Sequence, residues 1–210
     1  MKSRIIFSVI AVMLLFATVT TSGQVSFGVK AGGILSTQVQ NGVLWNNAGL
    51  RQSFHAGVYS ELKCSNTVSV VAELKFQAKG TSYDYRSGGT SYKVIRRYDY
   101  VNIPVVLKAG TSEGLPESYR IYGYAGPYVG IQVYSKDAFR NAHPEDLTAI
   151  TDSSSSPDLG LIVGAGISKK LMNNHEIFFE AAYEAGMIKI DNQDTEKRNK
   201  SVEASIGFTF

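Results

Sequence analysis

The chain has 210 residues, of which 44% are hydrophobic and 19% charged, with 20 glycines and 12 tyrosines; that composition excludes a disordered chain and suits one domain. Formal net charge is +3, and without Lys2 and Arg4 the 21 basic residues fall to 19 against 18 acidic ones, which excludes a global nucleic-acid footprint. Cys64 is the only cysteine, so an intramolecular disulfide is excluded and the residue reads as part of a turn.

Lys2 and Arg4 precede the apolar run 5–19 and the small residues Thr20, Thr21, Ser22 and Gly23. This is the order of a secretory signal peptide, with cleavage expected after Gly23. The run falls short of the roughly 20 apolar residues that a spanning helix needs. The expected organisation is therefore a leader, 1–23, and a single domain, 24–210. Cys64 lies too far from the cleavage point to be a lipid anchor.

From Val25 onward the apolar residues recur with the two-residue period of a strand. Val25, Phe27, Val29 and Ala31 alternate with Ser26, Gly28, Lys30 and Gly32. Residues 54–63 and 67–79 repeat the pattern, each keeping its charges on one side. Further strands are predicted at 98–109, 119–134, 159–169, 176–187 and 199–210, about eight in all. Pro104 and Pro127 fall inside two of them and predict a bulge, an unpaired N–H position or a bend, because proline has no ladder donor.

The last strand alternates without a miss between Val202, Ala204, Ile206, Phe208, Phe210 and Ser201, Glu203, Ser205, Gly207, Thr209. A leader at one end and an aromatic-terminated, one-faced strand at the other predict an all-β fold. The expected form is a single closed antiparallel transmembrane β-barrel, an up-and-down meander of about eight strands. The links support it. Those at 34–53, 80–97, 135–158 and 188–198 are long, whereas 64–66, 110–118 and 170–175 are short. Strict alternation of this kind fits long outer loops and short periplasmic turns. Segments such as NGVLWNNAG, DYRSGGTSYK and TDSSSSPD predict hydrated loops.

At YVNIPVVLK, residues 100–108, the chain resembles the outer-membrane β-barrel domain family typified by PorT-like proteins of Bacteroidetes. GVKAGG after the leader, VAELKFQAKG, YGYAGPYVG, DLGLIVGAGIS, FFEAAYEAG and the terminal phenylalanine agree in order. The resemblance covers nearly the whole mature chain and implies a small barrel of OmpA or OmpX shape in the cell outer membrane. It also implies insertion by the barrel-assembly machinery, which Phe208 and Phe210 of the terminal strand would signal. PorT itself is associated with a protein-secretion system, and no motif of this sequence singles out that branch. The motifs specify a barrel and no activity.

With the apolar face toward lipid, the other face carries Glu61, Glu73, Glu176, Glu180, Glu184 and Glu203 together with Lys30, Lys63, Lys75 and Lys108. An eight-stranded lumen is only wide enough for side chains to fill, so these charges are expected to pair into a plug. The competing expectation is a gated ion path. Catalysis is not expected. His55, His143 and His175 are scattered, Ser53 beside His55 reads as chance, and no triad is positioned. No cofactor is expected, nor a metal, since ligand spacing is missing; Asp152 and Asp158 read as a solvated loop rather than a calcium site.

Tyr83, Tyr85, Tyr92, Tyr98 and Tyr100 cluster around Arg86, Lys93, Arg96 and Arg97 and read as an interfacial girdle. Trp45, Tyr92, Arg96 and Arg97 are the candidate loop contacts. Expected partners are outer-membrane lipid and lipopolysaccharide, the assembly machinery, and a surface or secretion protein, with no nucleic acid and a monomeric state. The leading functional expectation is a structural or surface-interaction module acting through long outer loops. A narrow gated pore or secretion accessory is the alternative, and a soluble lipocalin-like ligand barrel, which would put the apolar face inside, is the third.

Overall fold

The computed structural model describes residues 25–40, 43–44, 49–87, 90–111, 119–140, 157–171, 173, 175–188 and 197–210, with the backbone alone at 40, 43–44, 83–87, 90–94, 136–140 and 197. The leader, Trp45, His143 and Asp152 lie outside the described residues. No helix among them is long and apolar enough to cross a membrane.

Nine strands run in chain order: β1 Val25–Gln40, β2 Val43–Leu44, β3 Gly49–Lys63, β4 Val68–Ser87, β5 Thr90–Gly110, β6 Tyr119–Arg140, β7 Asp158–Lys170, β8 Glu176–Gly186 and β9 Lys197–Thr209. All pairings are antiparallel between neighbours, and β1 also pairs with β9, from Gly28 opposite Thr209 to Gln40 opposite Lys197. Eight long strands therefore close into a barrel, while the two-residue β2 pairs only with the end of β1. Closure removes the sheet edges that would otherwise meet lipid with unpaired backbone groups. Phe210 completes the seam by donating its N–H to the Phe27 carbonyl at 2.8 Å.

The two faces have opposite polarity. Phe27, Val29, Phe54, Val58, Leu107, Ile121, Val163, Phe179 and Ile206 point outward and are exposed, whereas Lys75, Gln77, Lys79, Asn102, Asp158 and Glu184 are fully buried inside. On β8 and β9 the alternation holds along the strand, from Ile177 to Tyr183 and from Val202 to Phe210. Some five outward apolar residues per strand, at about 3.3 Å per residue and a tilt near 40°, make a band of about 25 Å, the height of the lipid-facing belt of such barrels. A lipocalin has the inverse arrangement, so the soluble-barrel expectation fails on polarity.

The lumen is filled partly by rings laid over glycines. Tyr122 is directly opposite Gly166 and Tyr124 opposite Gly164 on β7. A Cβ at either glycine would collide with the facing ring, so only glycine lets the tyrosine lie flat across the neighbouring strand. With Tyr128, Val106, Ile162 and Ala182 these rings form the buried apolar cluster of the barrel interior.

The prolines interrupt the ladders without shifting register. The β4 and β5 pairing skips from Ala72 opposite Val105 to Lys75 opposite Asn102, leaving Pro104 outside it. The β5 and β6 pairing skips from Pro104 opposite Tyr128 to Leu107 opposite Ala125, leaving Pro127 outside it. The register shifts fall elsewhere, between Asp99 and Tyr100 and between Leu50 and His55.

The link lengths need correction. β1 continues to Gln40 and β3 begins at Gly49, so much of the expected first loop is strand. The expected loop 80–97 is almost wholly strand: Ser87 pairs with Thr90, leaving two residues between them. Its glycines and serines masked alternating Tyr, Val, Ile and Arg residues, which pair well across strands. The outcome is a lopsided barrel. β4, β5 and β6 have 20, 21 and 22 residues, against 13, 11 and 13 for β7, β8 and β9.

Candidate functional site

The inward positions of β1, β3, β4, β8 and β9 bring charges from distant parts of the chain into one lumen. Lys75 lies at its centre, with its Nζ donating to Glu184 and to Glu203, both at 2.8 Å. Further along the same face of β4, Lys79 Nζ reaches Glu184 at 2.8 Å and Asp158 at 3.3 Å. Between them Gln77 donates to Glu184 at 3.1 Å and also to Glu203, and Asn102 donates to Gln77. Tyr128 and Asn199 donate to Asp158 at 3.2 and 3.1 Å. Every member of this cluster is buried.

A second cluster fills the end of the lumen nearer the short turns. Lys30 bridges Glu73 at 2.8 Å and Glu180 at 3.3 Å, and Tyr122 donates to Glu180 at 2.8 Å. Lys108 pairs with Glu61 at 2.9 Å while its Nζ sits 4.1 Å from the Tyr122 ring centre. Ser69 donates to Glu61 at 2.6 Å, and Arg120 approaches it at 4.0 Å. A cavity of about 20 Å³ remains among Lys30, Glu61, Glu73, Lys108, Tyr124 and Glu180, enough for about one water. Buried carboxylates without partners would each cost several kcal/mol. Shared lysines and tyrosine hydroxyls avoid that cost here.

Eight of the ten charges expected in the lumen thus meet in these two clusters. Lys63 takes part in none of the ion pairs among the described residues. Glu176 stands at the rim beside the short turns, opposite Lys170. Lys79, Asp158, Arg120 and His55 belong to the interior as well and were readable only in part. Lys79 is in phase with Lys75 and Gln77, and Asp158 with Gly160 and Ile162, but each lay at the margin of an expected loop. Asp158 is a buried partner of Lys79 and not a loop residue. His55 is buried in the wall, 3.2 Å from Ser205 Oγ and 4.0 Å from Glu203. His175 stacks against Phe208 at the opposite end, with ring centres 5.3 Å apart.

The girdle assignment also changes. Tyr100 is fully buried in the lumen wall and donates to Gln132 at 3.4 Å. The interior tyrosines Tyr59, Tyr122, Tyr124 and Tyr128 were not singled out by the sequence reading, although the last three share the parity opposite to lipid-facing Ile121 and Val129. At the outer rim Arg97 grips Asp99 with Nε at 2.9 Å and Nη2 at 2.6 Å, and its guanidinium lies 5.3 Å from the Tyr134 ring centre. Arg96 lies one residue further up β5, and only the backbone of Tyr92 is described, opposite Tyr85.

With a charged interior and an apolar exterior on one closed sheet, the molecule has the makings of a membrane barrel, and the family model of the outer membrane protein β-barrel domain matches residues 16–192. The chain belongs to this family. Among curated proteins no sequence matches it. In fold it is similar to the outer membrane protein OprG from Pseudomonas aeruginosa, with 12% identity over 90% of this chain and 97% of the other and a TM-score of 0.50. A major outer membrane protein from Thermus thermophilus is similar at 14% identity, 89% and 99% coverage and a TM-score of 0.51. Barrels of this kind carry their short turns on the periplasmic side and their long links outside.

Proposed function

We propose that this outer-membrane barrel conducts nothing at rest and serves as a surface-interaction module through its outer strands and links. The observation that carries the reading is the filled lumen: two tiers of shared ion pairs cross it among the described residues, and the cavity between Lys30, Glu61, Glu73 and Glu180 has room for about one water. With the interior committed to the plug, the wall that rises above the belt is the part with surface to spare. Its basic residues, Arg96 and Arg97 among them, suit contact with lipopolysaccharide phosphates. The reading includes export by the leader 1–23, recognition of Phe208 and Phe210 by the assembly machinery, and a monomeric barrel without enzymatic activity.

Two measurements test it. In planar bilayers the purified protein is expected to show no stable open-channel current, and removal of residues 83–95 is expected to keep heat-modifiable gel migration while abolishing lipopolysaccharide binding. Steady conductance together with unchanged binding would overturn the reading. One observation favours a second reading, a narrow gated pore or PorT-like secretion accessory. Lys75 is shared between two glutamates, so a small movement can exchange one partner for the other. Bursts of current that Glu203→Gln lengthens would support that alternative.

A further inference from the structure

β6 outgrows its neighbour. Its last pairing with β7 is Gly130 opposite Asp158, yet it continues against β5 as far as Arg140 opposite Lys93. Among the described residues nothing pairs with the other side of 131–140. Those ten residues present a row of backbone N–H and C=O groups about 33 Å long, at the margin of a three-stranded sheet standing above the barrel. On the opposite margin β4 outruns β3, whose outermost pair is Gly49 with Ser82. A free edge of this length is a template for another strand, and the segment IQVYSKDAFR contains no proline to block one.

The charge of the sheet selects what can add. Its projecting segments carry Arg86, Lys93, Arg96, Arg97, Lys136 and Arg140 against Asp84, Asp99 and Asp137, and Asp99 is already held by Arg97. A second copy of the chain would bring like charge against like. An extended segment rich in carboxylates meets a sheet whose projecting segments carry six basic residues against three acidic ones.

We propose that the edge of β6 that no described residue pairs, residues 131–140, is a strand-addition site for an extended acidic segment of a partner protein. The partner's backbone completes the ladder and its carboxylates face the basic sheet, so backbone pairing supplies affinity and charge supplies selection. This rests on the reading that the protein works at its outer end.

The test uses the full-length mature protein in detergent micelles and three synthetic decapeptides: alternating Glu and Val, alternating Lys and Val, and the Glu peptide with three internal prolines. Amide hydrogen exchange is followed residue by residue. The Glu peptide is expected to slow exchange at alternate residues of 131–140 at least tenfold, more at low salt than at high salt, while the other two peptides leave it unchanged. Ser135→Pro and Lys136→Pro remove adjacent N–H groups that point to opposite sides of β6. One of them is expected to weaken the Glu peptide at least tenfold, with heat-modifiable migration of the barrel intact in both. Edge amides already slow in the free protein would show the site occupied by this chain's own residues and would overturn the proposal. Equal binding of the Lys peptide, or wild-type affinity in both proline variants, would overturn it too. Should the peptide fail while lipopolysaccharide binding still depends on 83–95, the strand-addition site falls and the surface-interaction reading stands.

Discussion

Within the lipid belt every strand has two neighbours and the inward charges are joined across the lumen, whereas above the belt three strands stand with two margins that no described residue pairs, in segments of mostly polar sequence. The two regions share one continuous sheet, since β4, β5 and β6 run through both. Their physical demands differ. In lipid an unpaired backbone group or a lone charge costs several kcal/mol, so closure and pairing are compulsory there. In water an edge costs almost nothing, and it stays available for recognition. On the function proposed above, the same strands carry the molecule's stability at one end and its contact surface at the other.

The sharpest way to break this contrast is to remove the cation at the centre of the plug. Lys75→Met leaves Glu203 without its ion-pair partner in a dry interior, and a cost of about 3–5 kcal/mol is expected. Urea unfolding in micelles, followed by gel migration, would register it as a fall in midpoint. Lys75→Met combined with Glu203→Gln should recover most of the loss, because the uncompensated charge goes with it. If the single variant were as stable as the parent, the plug would be wet and the proposed block to conduction would lose its basis.

A second prediction concerns the rings over glycines. Gly164→Val places a branched side chain against the Tyr124 ring and the β8 backbone, with an expected penalty of about 1–3 kcal/mol from overpacking. The double variant with Tyr124→Ala should recover part of it by making room. Smaller again is Tyr122→Phe, which removes the 2.8 Å hydrogen bond to Glu180 but leaves Lys30 in place. About 1–2 kcal/mol is expected for one bond to a charged acceptor, read from the same unfolding curves.

These sites also mark how far the sequence was legible. The barrel could be read because lipid outside and a charged lumen inside impose a two-residue period, and Val202 to Phe210 show it without a fault. Most of the plug followed, since Lys75, Glu184 and Glu203 lie mid-strand where the parity is plain. Their pairing was not legible. Lys75 is more than 100 residues from Glu184, and strand order alone does not give the register that sets which lysine meets which glutamate. The projecting sheet was misread for a different reason. Above the belt nothing outside is apolar, so the period loses its contrast, and DYRSGGTSYK looks like a loop although its backbone is a hairpin. Tyr100 fell to the same ambiguity, because a tyrosine suits an interfacial girdle and a polar lumen equally.

The smallest expected effect lies where the two regions join. Arg97 is partly exposed and holds the buried Asp99 at 2.6 Å, close to the level at which β6 takes its extra residue. Water reaches the guanidinium, so Arg97→Ala should lower barrel stability by about 1 kcal/mol or less. Its effect above the belt should be larger in kind. Arg97 ties Asp99 on β5 to the Tyr134 ring on β6, and without that tie the two strands lose their side-chain brace at the point where the sheet leaves the barrel. Amide exchange is expected to quicken several-fold at 93–98 and 134–140 and to stay unchanged at 100–108. Uniform quickening along β5 would mean that the projecting sheet and the barrel open together, and the division between a region for stability and a region for contact would have to be given up.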